Sequence, residues 1–395
     1  MEKRQVVIVG AGPVGLLTAL GLARQGIQVT VLDAETEVIR APRASVYFHT
    51  TLSVLRKLGL DDDAHAVGEP SHLFMMHWPA SGDVMRSDMR DALDPGQEFD
   101  HNLHFGQDLL ADMVLRHLAA HPHAEVLWDH TVTALGQVEG SARVKADTEE
   151  GERVFEADWV IGADGARSGV RSLLGLPFEG FTWPERFVAA NISYPFAECG
   201  FANANMVVDP VNWAVIARLG QGNLWRVTFG EDADLPERSL ANRLPGRLAQ
   251  ILPDPALPHV VHEFSPYRVH QRCAPRFRVG RVLLAGDAAH SCNPCGGMGL
   301  TSGVLDADML SDALGAVIAG RGGEDLLDFY AAERRRVFQD VAAPLSAHFK
   351  RLLSESDPAQ READKQAMLA GARKGGAEIR SSSLAERIRG NPLPL

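Results

Sequence analysis

A glycine-rich turn lies between a β-branched run and an apolar helix within the first 33 residues, and that arrangement leaves few folds open. Gln5 to Val9 reads as a buried strand of a parallel sheet. Gly10-Ala11-Gly12-Pro13-Val14-Gly15 follows, then a helix over about Pro13 to Gln25, with Leu16, Leu17, Leu20 and Ala23 at helical spacing, then a second strand from Val29 to Leu32. A lone GxGxxG says little, but between a strand and a helix it gains a meaning. Gly10 permits the tight turn, Gly12 lets a pyrophosphate approach the backbone, and Gly15 lets helix and strand pack closely. The helix opening at Pro13 turns unpaired N–H groups toward the phosphates. Asp33 closes the second strand, about twenty residues on, where an acidic side chain accepts from a ribose hydroxyl. Glu35 is a weaker substitute. The unit points to a dinucleotide and does not by itself separate NAD from FAD.

The chain has 395 residues, enough for more than one domain. Helical stretches are expected near Thr51 to Gly59 and Gln107 to His121, and a strand hairpin within Val126 to Ala146. Trp159 to Ile161 reads as a buried strand running into a turn at Gly162. Between about 176 and 275 the character changes. Trp183, Phe187, Tyr194, Phe196, Trp213 and Trp225 sit in short β-rich runs broken by Gly, Pro and Asn, which predicts a separate, mainly antiparallel sheet. A nucleotide-binding pattern then returns: a strand from Arg281 to Ala285, a glycine-rich loop, and a helix over about Ser302 to Ile318. A longer helical region runs from Glu324 to about Ser354, and the polar tail beyond Pro358 reads as a peripheral helix plus a loose end.

The net charge of −12 and the lack of a basic block exclude nucleic acid and anionic membrane as partners. No apolar run is long enough to span a bilayer, and Val6 to Val9 is too short for a signal peptide, so a cytoplasmic location is expected. Four cysteines are too few for a disulfide scaffold.

Two later segments narrow the dinucleotide. Ile161-Gly-Ala-Asp-Gly-Ala-Arg-Ser168 and Leu284-Ala-Gly-Asp-Ala-Ala-His290 each place an Asp just past a buried strand. Ligands of open α/β sheets collect at such carboxyl ends; taken singly, either Asp is better read as a turn cap. As an ordered set with the first loop, these segments resemble the DG and GD motifs of the class A flavoprotein aromatic hydroxylases, the para-hydroxybenzoate hydroxylase family, over roughly residues 5 to 340. The resemblance implies an α/β fold: a Rossmann-like FAD-binding domain with an inserted, mainly antiparallel β substrate domain and C-terminal helices. The FAD-binding domain would take 1–75, 95–175 and 276–355, the substrate domain 76–94 and 176–275, and the tail 356–395.

By the same resemblance, Asp287, after Gly286, contacts the ribityl chain, and Asp164 serves both FAD and the nicotinamide nucleotide. Pro294 lies beside the flavin ring. Gly296, Gly297 and Gly299 turn backbone amides toward the ring ahead of Leu300. Helix N-terminal amides there stabilise anionic reduced flavin. Arg43 lies near the cofactor, Gln107 opens a helix that touches FAD, and Asp306 fits an Asp-Ala pair in the following helix. Cys295, Met298 and Thr301 depart from the small or amide residues usual in the family, which leaves the substrate open. The implied reaction is hydroxylation of a small aromatic or heteroaromatic ring: NADH or NADPH reduces FAD and leaves, and O2 gives a flavin hydroperoxide that transfers one oxygen. No second GxGxxG unit for NAD(P)H occurs mid-chain.

Tyr47, His49 and His290 are the candidate bases, with Pro294 at the ring; histidine has the right pKa range, though 15 histidines dilute the signal. Arg167 and Arg171 are candidates for phosphate or flavin contacts. Cys292-Asn-Pro-Cys295 leaves open a dithiol oxidoreductase, and a flavin-dependent reductase on the same fold is a further alternative. A zinc site at His290, Cys292 and Cys295 lacks a second ligand pair.

Overall fold

In the computed structural model, which describes residues 2–41, 44–91, 93, 96–373 and 384–395, the opening βαβ unit forms the middle of an eight-stranded sheet. Strand β1 (Glu2–Val9) runs parallel to β2 (Val29–Leu32) on one side and to β11 (Gly151–Gly162) on the other. Beyond these, β8 (Ala124–Leu127) is parallel to β2 and β18 (Val282–Leu284) to β11, with β17 (Arg278–Val279) antiparallel at the edge. The hairpin β9 (Thr131–Val138) and β10 (Ser141–Thr148) continues from β11. The register sets Val9 beside Leu32 and Gly162, and Gly162 beside Leu284, so the strand ends that carry the three motifs are neighbours.

The continuous apolar character of β1 follows from burial on both faces: Val6, Val7 and Ile8 are sealed. Helix α1 (Pro13–Ala23) is buried at every position from Gly15 to Ala23, wider than a one-sided stripe, because it packs under α7 (Met298–Ile318) as well as on the sheet. Gly21 permits that contact: a Cβ there would lie 2.6 Å from Ser311 Oγ.

A second eight-stranded sheet has the order β19-β16-β12-β15-β14-β13-β5-β6. Its strands are β5 (Leu73–Trp78), β6 (Asp83–Asp88), β12 (Glu179–Ser193), β13 (Ala204–Val207), β14 (Ala214–Arg218), β15 (Leu224–Asp232), β16 (Val260–Cys273) and β19 (His290–Ser291). All pairs are antiparallel except β13 with β5. One face buries Val188, Ala190, Ile192, Trp225 and Val227 under helix α6 (Leu240–Ile251), through Leu244 and Leu248. The opposite face carries Phe187 and Met206 against Cys295 and Phe349, residues of the flavin-loop side. A small sheet, β3 (Val46–Tyr47), β7 (Asn102–His104) and β4 (Glu69–Ser71), stands beside these layers with α2 (His49–Lys57), α3 (Asp61–Val67) and α4 (Gln107–Leu118). Short helix α5 (Gly169–Leu173) follows the second motif.

After α7 come α8 (Asp325–Val337), a π turn (Phe338–Ala342) and α9 (Ala343–Ser354) as one rod, then α10 (Pro358–Arg373). Lys365 of α10 pairs with Asp83 of β6 at 2.7 Å. The expected loose end is not loose where it is described. The terminal helix Leu384–Arg389 buries Ile388 to 2% exposure, and the carbonyls of Ile388 and Arg389 accept from Arg334 Nη1 at 3.1 and 3.0 Å. A polar composition hides this, because the docking depends on two apolar side chains, Ile388 and Leu393, and one buried guanidinium that needs acceptors. Among the described residues no helix is long and apolar enough to cross a membrane.

Candidate functional site

The three motif loops touch one another. Gly10 has φ +107°, and a Cβ there would lie 2.4 Å from Ala163 O and 2.8 Å from Asp164 Cα. Gly286, at φ +57°, would place a Cβ 2.8 Å from Val14 Cγ2. The first loop is therefore pressed against both the second and the third, and only glycine fits at either contact. Backbone bonds reinforce the seam: Gly10 donates to Leu32 O at 2.8 Å, Ala163 to Val9 O at 2.8 Å, and Ala285 to Gly162 O at 3.0 Å. At Gly15 a Cβ would lie 2.0 Å from Gly10 O, whereas Gly12 has nothing within 4 Å. One glycine thus closes the turn and the other leaves an open lip at the start of α1, where no side chain caps the helix. An uncapped helix N-terminus beside an open glycine is what a pyrophosphate requires, so these residues fit FAD.

The acidic residues around this lip differ in their commitments. Asp33 Oδ2 accepts from Ala11 N at 2.5 Å and Oδ1 from Glu35 N at 2.8 Å, which holds its carboxylate against the first loop. Asp287 is exposed on the turn Gly286–Ala288 at the end of β18. Asp164 serves its own loop: Oδ1 accepts from Ser168 Oγ at 2.5 Å and Oδ2 from Val170 N at 3.0 Å, capping the turn into α5. Burial raises its pKa, and these hydrogen bonds oppose that rise. Arg171 is no surface phosphate ligand. It is buried, donates to Ala288 O and Ala166 O at 2.9 Å each, and lies 3.8 Å over the Phe178 ring, tying the second loop to the third. Arg167 beside it is exposed. Gln107 is the first residue of α4, and Arg40 pairs with Asp112 on that helix at 2.6 Å. Arg43 lies outside the described residues.

Past Asp287 the chain turns into α7. Pro294 is half-buried, and its carbonyl accepts from Gly297 N at 3.0 Å. Gly296 and Gly297 have φ +89° and +70°; added Cβ atoms would lie 2.7 Å from Phe349 and 2.9 Å from Phe48. These two rings crowd the loop on one side. Gly297 caps α7 with no side-chain bond, so the amides near half-buried Gly299 and buried Leu300 open the helix as the motif requires.

His290 does not face a ligand space. It is 1% exposed, stacks on Phe338 at 4.4 Å between centroids, and pairs through Nε2 with Asp306 Oδ2 at 2.6 Å. Asp306 Oδ2 also accepts from Gly286 N at 2.9 Å, and Oδ1 from Arg334 Nε at 2.7 Å. Burial alone would raise the Asp306 pKa, but the charges and hydrogen bonds of His290 and Arg334 win and hold it at about 2. His290 therefore belongs to a sealed ionic support under the third loop, and its proposed role as a base is not what the geometry shows. Of the two CxxC thiols Cys295 is sealed and Cys292 half-buried, and burial pushes both up to about 12, so neither is the low-pKa thiolate that dithiol exchange uses.

The other candidates flank Phe48, the ring that meets the third loop at Gly297. Tyr47 is fully buried and stacked on Phe105 at 4.0 Å, and its hydroxyl has no partner. Burial raises its pKa strongly, which makes it a hydrogen-bond donor and not a base. His49 opens α2; Asn102 Oδ1 accepts from its backbone N at 3.0 Å, and both ring nitrogens are buried without a partner. Burial, then the nearby Arg389 charge, lower its pKa, so the ring is neutral at physiological pH. Arg226 was missed by sequence reasoning. It projects from β15 on the face away from α6, donates through Nε to Asn191 Oδ1 at 3.1 Å, and leaves Nη1 buried and unbonded. A charged residue inside an apolar strand was the available signal.

Comparison with known proteins agrees with the geometry. Residues 3–344 match the family model described as FAD binding domain. The chain is 42% identical over 363 residues to the para-nitrophenol 4-monooxygenase of Pseudomonas sp. (strain WBC-3), covering 91% of this chain and 89% of that protein. It is 41% identical over 363 residues to the 6-hydroxy-3-succinoylpyridine 3-monooxygenase of Pseudomonas putida, covering 92% of each. The crystal structure of p-nitrophenol 4-monooxygenase from Pseudomonas putida DLL-E4 superposes with a TM-score of 0.94 at 40% identity over 100% of both chains. With its three glycine-bearing loops meeting at one sheet edge and the matching family model spanning most of its length, the chain belongs to the class A FAD-dependent aromatic hydroxylases.

Proposed function

We propose that this hydroxylase acts in the cytoplasm on a small phenol or hydroxylated heteroaromatic ring, with NADH or NADPH as reductant and O2 as oxidant. The observation that carries the reading is the contact of all three motif loops at one edge of the first sheet, with the third loop meeting Phe48, whose neighbours Tyr47 and His49 hold buried polar atoms without a partner. The similar proteins named for nitrophenol and hydroxypyridine substrates support this ring class. FAD, when bound, supplies hydride acceptance and oxygen transfer. Gly10, Gly12 and Gly15, with the N-terminus of α1 opened by Pro13, hold the pyrophosphate. Asp33 takes the adenosine ribose and Asp287 the ribityl chain, with Asp164 shaping the second loop. Gln107 and Arg43 complete the cofactor contacts. Pro294, Gly286, Gly297, Gly299 and Leu300 seat the ring end.

His49 is the best base: its ring is neutral and its nitrogens are free to take a phenolic proton, which raises electron density in the ring to be attacked. Tyr47 donates to a substrate or cofactor oxygen. Apolar side chains of the second sheet exclude water from the reacting centre.

The test uses the purified yellow protein with a panel of phenols, nitrophenols and hydroxypyridines. The expected result is NAD(P)H oxidation stimulated by a ring compound, with matching O2 uptake, ring hydroxylation and little peroxide. Turnover independent of oxygen, or O2 recovered wholly as peroxide with every ring tried, would reject the proposal.

A further inference from the structure

The third cofactor loop is held by a side chain that belongs neither to the loop nor to the first sheet. Strand β16 pairs with β19, Arg272 opposite Ser291 and Cys273 opposite His290, and that backbone ladder ends at Ser291. Two residues further on, the side chain of Gln271 on β16 takes over. Its Oε1 accepts from Asn293 N at 3.2 Å and from Asn293 Nδ2 at 3.1 Å. Its Nε2 donates to Ala343 O and to Ser346 Oγ of α9 at 3.0 Å each. Asn293 Oδ1 then accepts from Cys295 N at 3.0 Å, across Pro294. Gln271 is 8% exposed, and Asn293, Cys295 and Ser346 are sealed.

The amide is used on both sides and fits in one orientation. Turned over, it would set Nε2 against the two Asn293 donors and Oε1 against Ala343 O, a bare acceptor. Buried polar groups are costly to leave unbonded, so the network fixes the side chain and, through it, the spacing of three parts of the chain. Those parts are the second sheet, the loop that holds Pro294, and the rod of α9. The rod meets the same loop again at Gly296, where Phe349 crowds it. Pro294 therefore sits between two fixed points that lie outside the first sheet. A methionine would fill the space of Gln271 without setting a direction.

We propose that Gln271 is a positioning residue for hydroxylation: its amide sets the distance between the second sheet and the Asn293–Cys295 segment that carries Pro294 to the ring end of the cofactor. The assignment rests on the hydroxylase reading above, in which Pro294 seats that end. Oxygen transfer demands a near-attack geometry. A substrate held against the second sheet and a cofactor end held by the third loop reach that geometry only if sheet and loop keep their register. Gln271 acts through Asn293 and takes no part in the chemistry itself.

Hydrogen exchange of the apoprotein and of the holoenzyme, resolved to the Asn293 and Cys295 amides, tests the hub without turnover. In Gln271→Met both amides should exchange ~5-fold faster or more, the scale of one hydrogen bond, while amides of β1 and α1 keep their wild-type rates. FAD affinity and KM for the ring should stay within ~3-fold, small on the affinity scale, because the glycine loops and the second sheet are untouched. The kcat for ring hydroxylation should fall by ~10-fold or more, inside the ~100-fold that a misplacement of about 1 Å costs, with the lost product recovered as peroxide. Gln271→Glu keeps the acceptor for Asn293 but sets a carboxylate oxygen against Ala343 O. Its hydroxylation yield should be low at high pH and recover, relative to wild type, as the pH falls and the carboxyl takes a proton that it can donate. This variant has the shape of glutamine, so it keeps the idea testable if Gln271→Met does not fold. Unchanged exchange at Asn293 and Cys295, faster exchange across the whole fold, or a kcat that falls no more than KM rises would overturn the assignment. A wild type that hydroxylates no ring, with the two amides still freed in Gln271→Met, would sink the reaction and leave the hub standing.

Discussion

Replacing Arg334 with methionine would remove the cation at the centre of the sealed support under the third cofactor loop. Arg334 and Asp306 are 1% and 0% exposed, and their contact is 2.7 Å. Removing one partner of such a pair leaves an uncompensated buried charge and destabilises by about 3–5 kcal/mol. The same pairing holds the Asp306 pKa down from 3.8 to about 2, so the folded state favours its charged form. Burial opposes the shift, so the attraction of His290 and Arg334 exceeds the net value. About 3–5 kcal/mol is the expected loss for Arg334→Met. Equilibrium urea unfolding of the apoprotein reads it without interference from FAD binding. The pH dependence supplies a second check. Because the folded pKa of Asp306 is depressed, its contribution is full above the unfolded value near 3.8 and is lost as pH falls toward about 2. The stability gap between wild type and Arg334→Met should therefore narrow below about pH 4. FAD affinity should weaken too, because Asp306 Oδ2 holds the Gly286 amide at 2.9 Å and Arg334 holds the carbonyls of the terminal helix. A loss under about 1 kcal/mol, the range of an exposed pair, or a gap that widens in acid, would refute this account.

Gly10→Ala should weaken FAD binding by ~10-fold or more, measured by flavin fluorescence, since left-handed strain of about 1–2 kcal/mol adds to a backbone clash at 2.4 Å. Cys292→Ser and Cys295→Ala should each keep kcat/KM within about 3-fold of wild type, because protonated buried thiols have no chemical part; abolished turnover with FAD retained would restore the dithiol reading. His49→Gln should lower kcat/KM by ~100-fold or more and flatten the acid limb of its pH profile. In the wild type that limb should fall below the ordinary histidine value of 6.5, since burial lowers the pKa and activity is lost as the ring protonates. A limb that survives in the glutamine variant would assign the base elsewhere.

The cofactor half of the site was legible because its chemistry is local. A tight turn, a close backbone approach and a helix start each need a particular residue at a particular spacing, and Gly10, Gly12, Pro13 and Gly15 show all three in six positions. The strand Val29–Leu32 was placed to the residue, since it falls between the helix and the acidic residue of a βαβ unit whose order the glycine motif fixes. The helix Leu240–Ile251 was not seen inside the aromatic β region, although Leu240, Leu244 and Leu248 keep helical spacing. Short apolar runs flanked by Gly and Pro read as strands until something covers the sheet, and what covers it here is this helix.

The amino-acid order alone determined that three separate loops each end a buried strand, because glycine is needed there by the backbone itself, and FAD followed from the resemblance of the ordered set to the hydroxylase family. Only the folded structure decided which polar side chains remain free to act. His290, Asp164 and Arg171 look like ligands in the sequence, yet each is already bonded to a distant or neighbouring partner. Arg226 shows in the sequence only as a charge inside an apolar strand, yet it alone among the buried arginines described lacks a counter-ion or backbone-carbonyl acceptor. Whether a buried polar atom has a partner depends on residues tens or hundreds of positions away, and no local pattern carries that information.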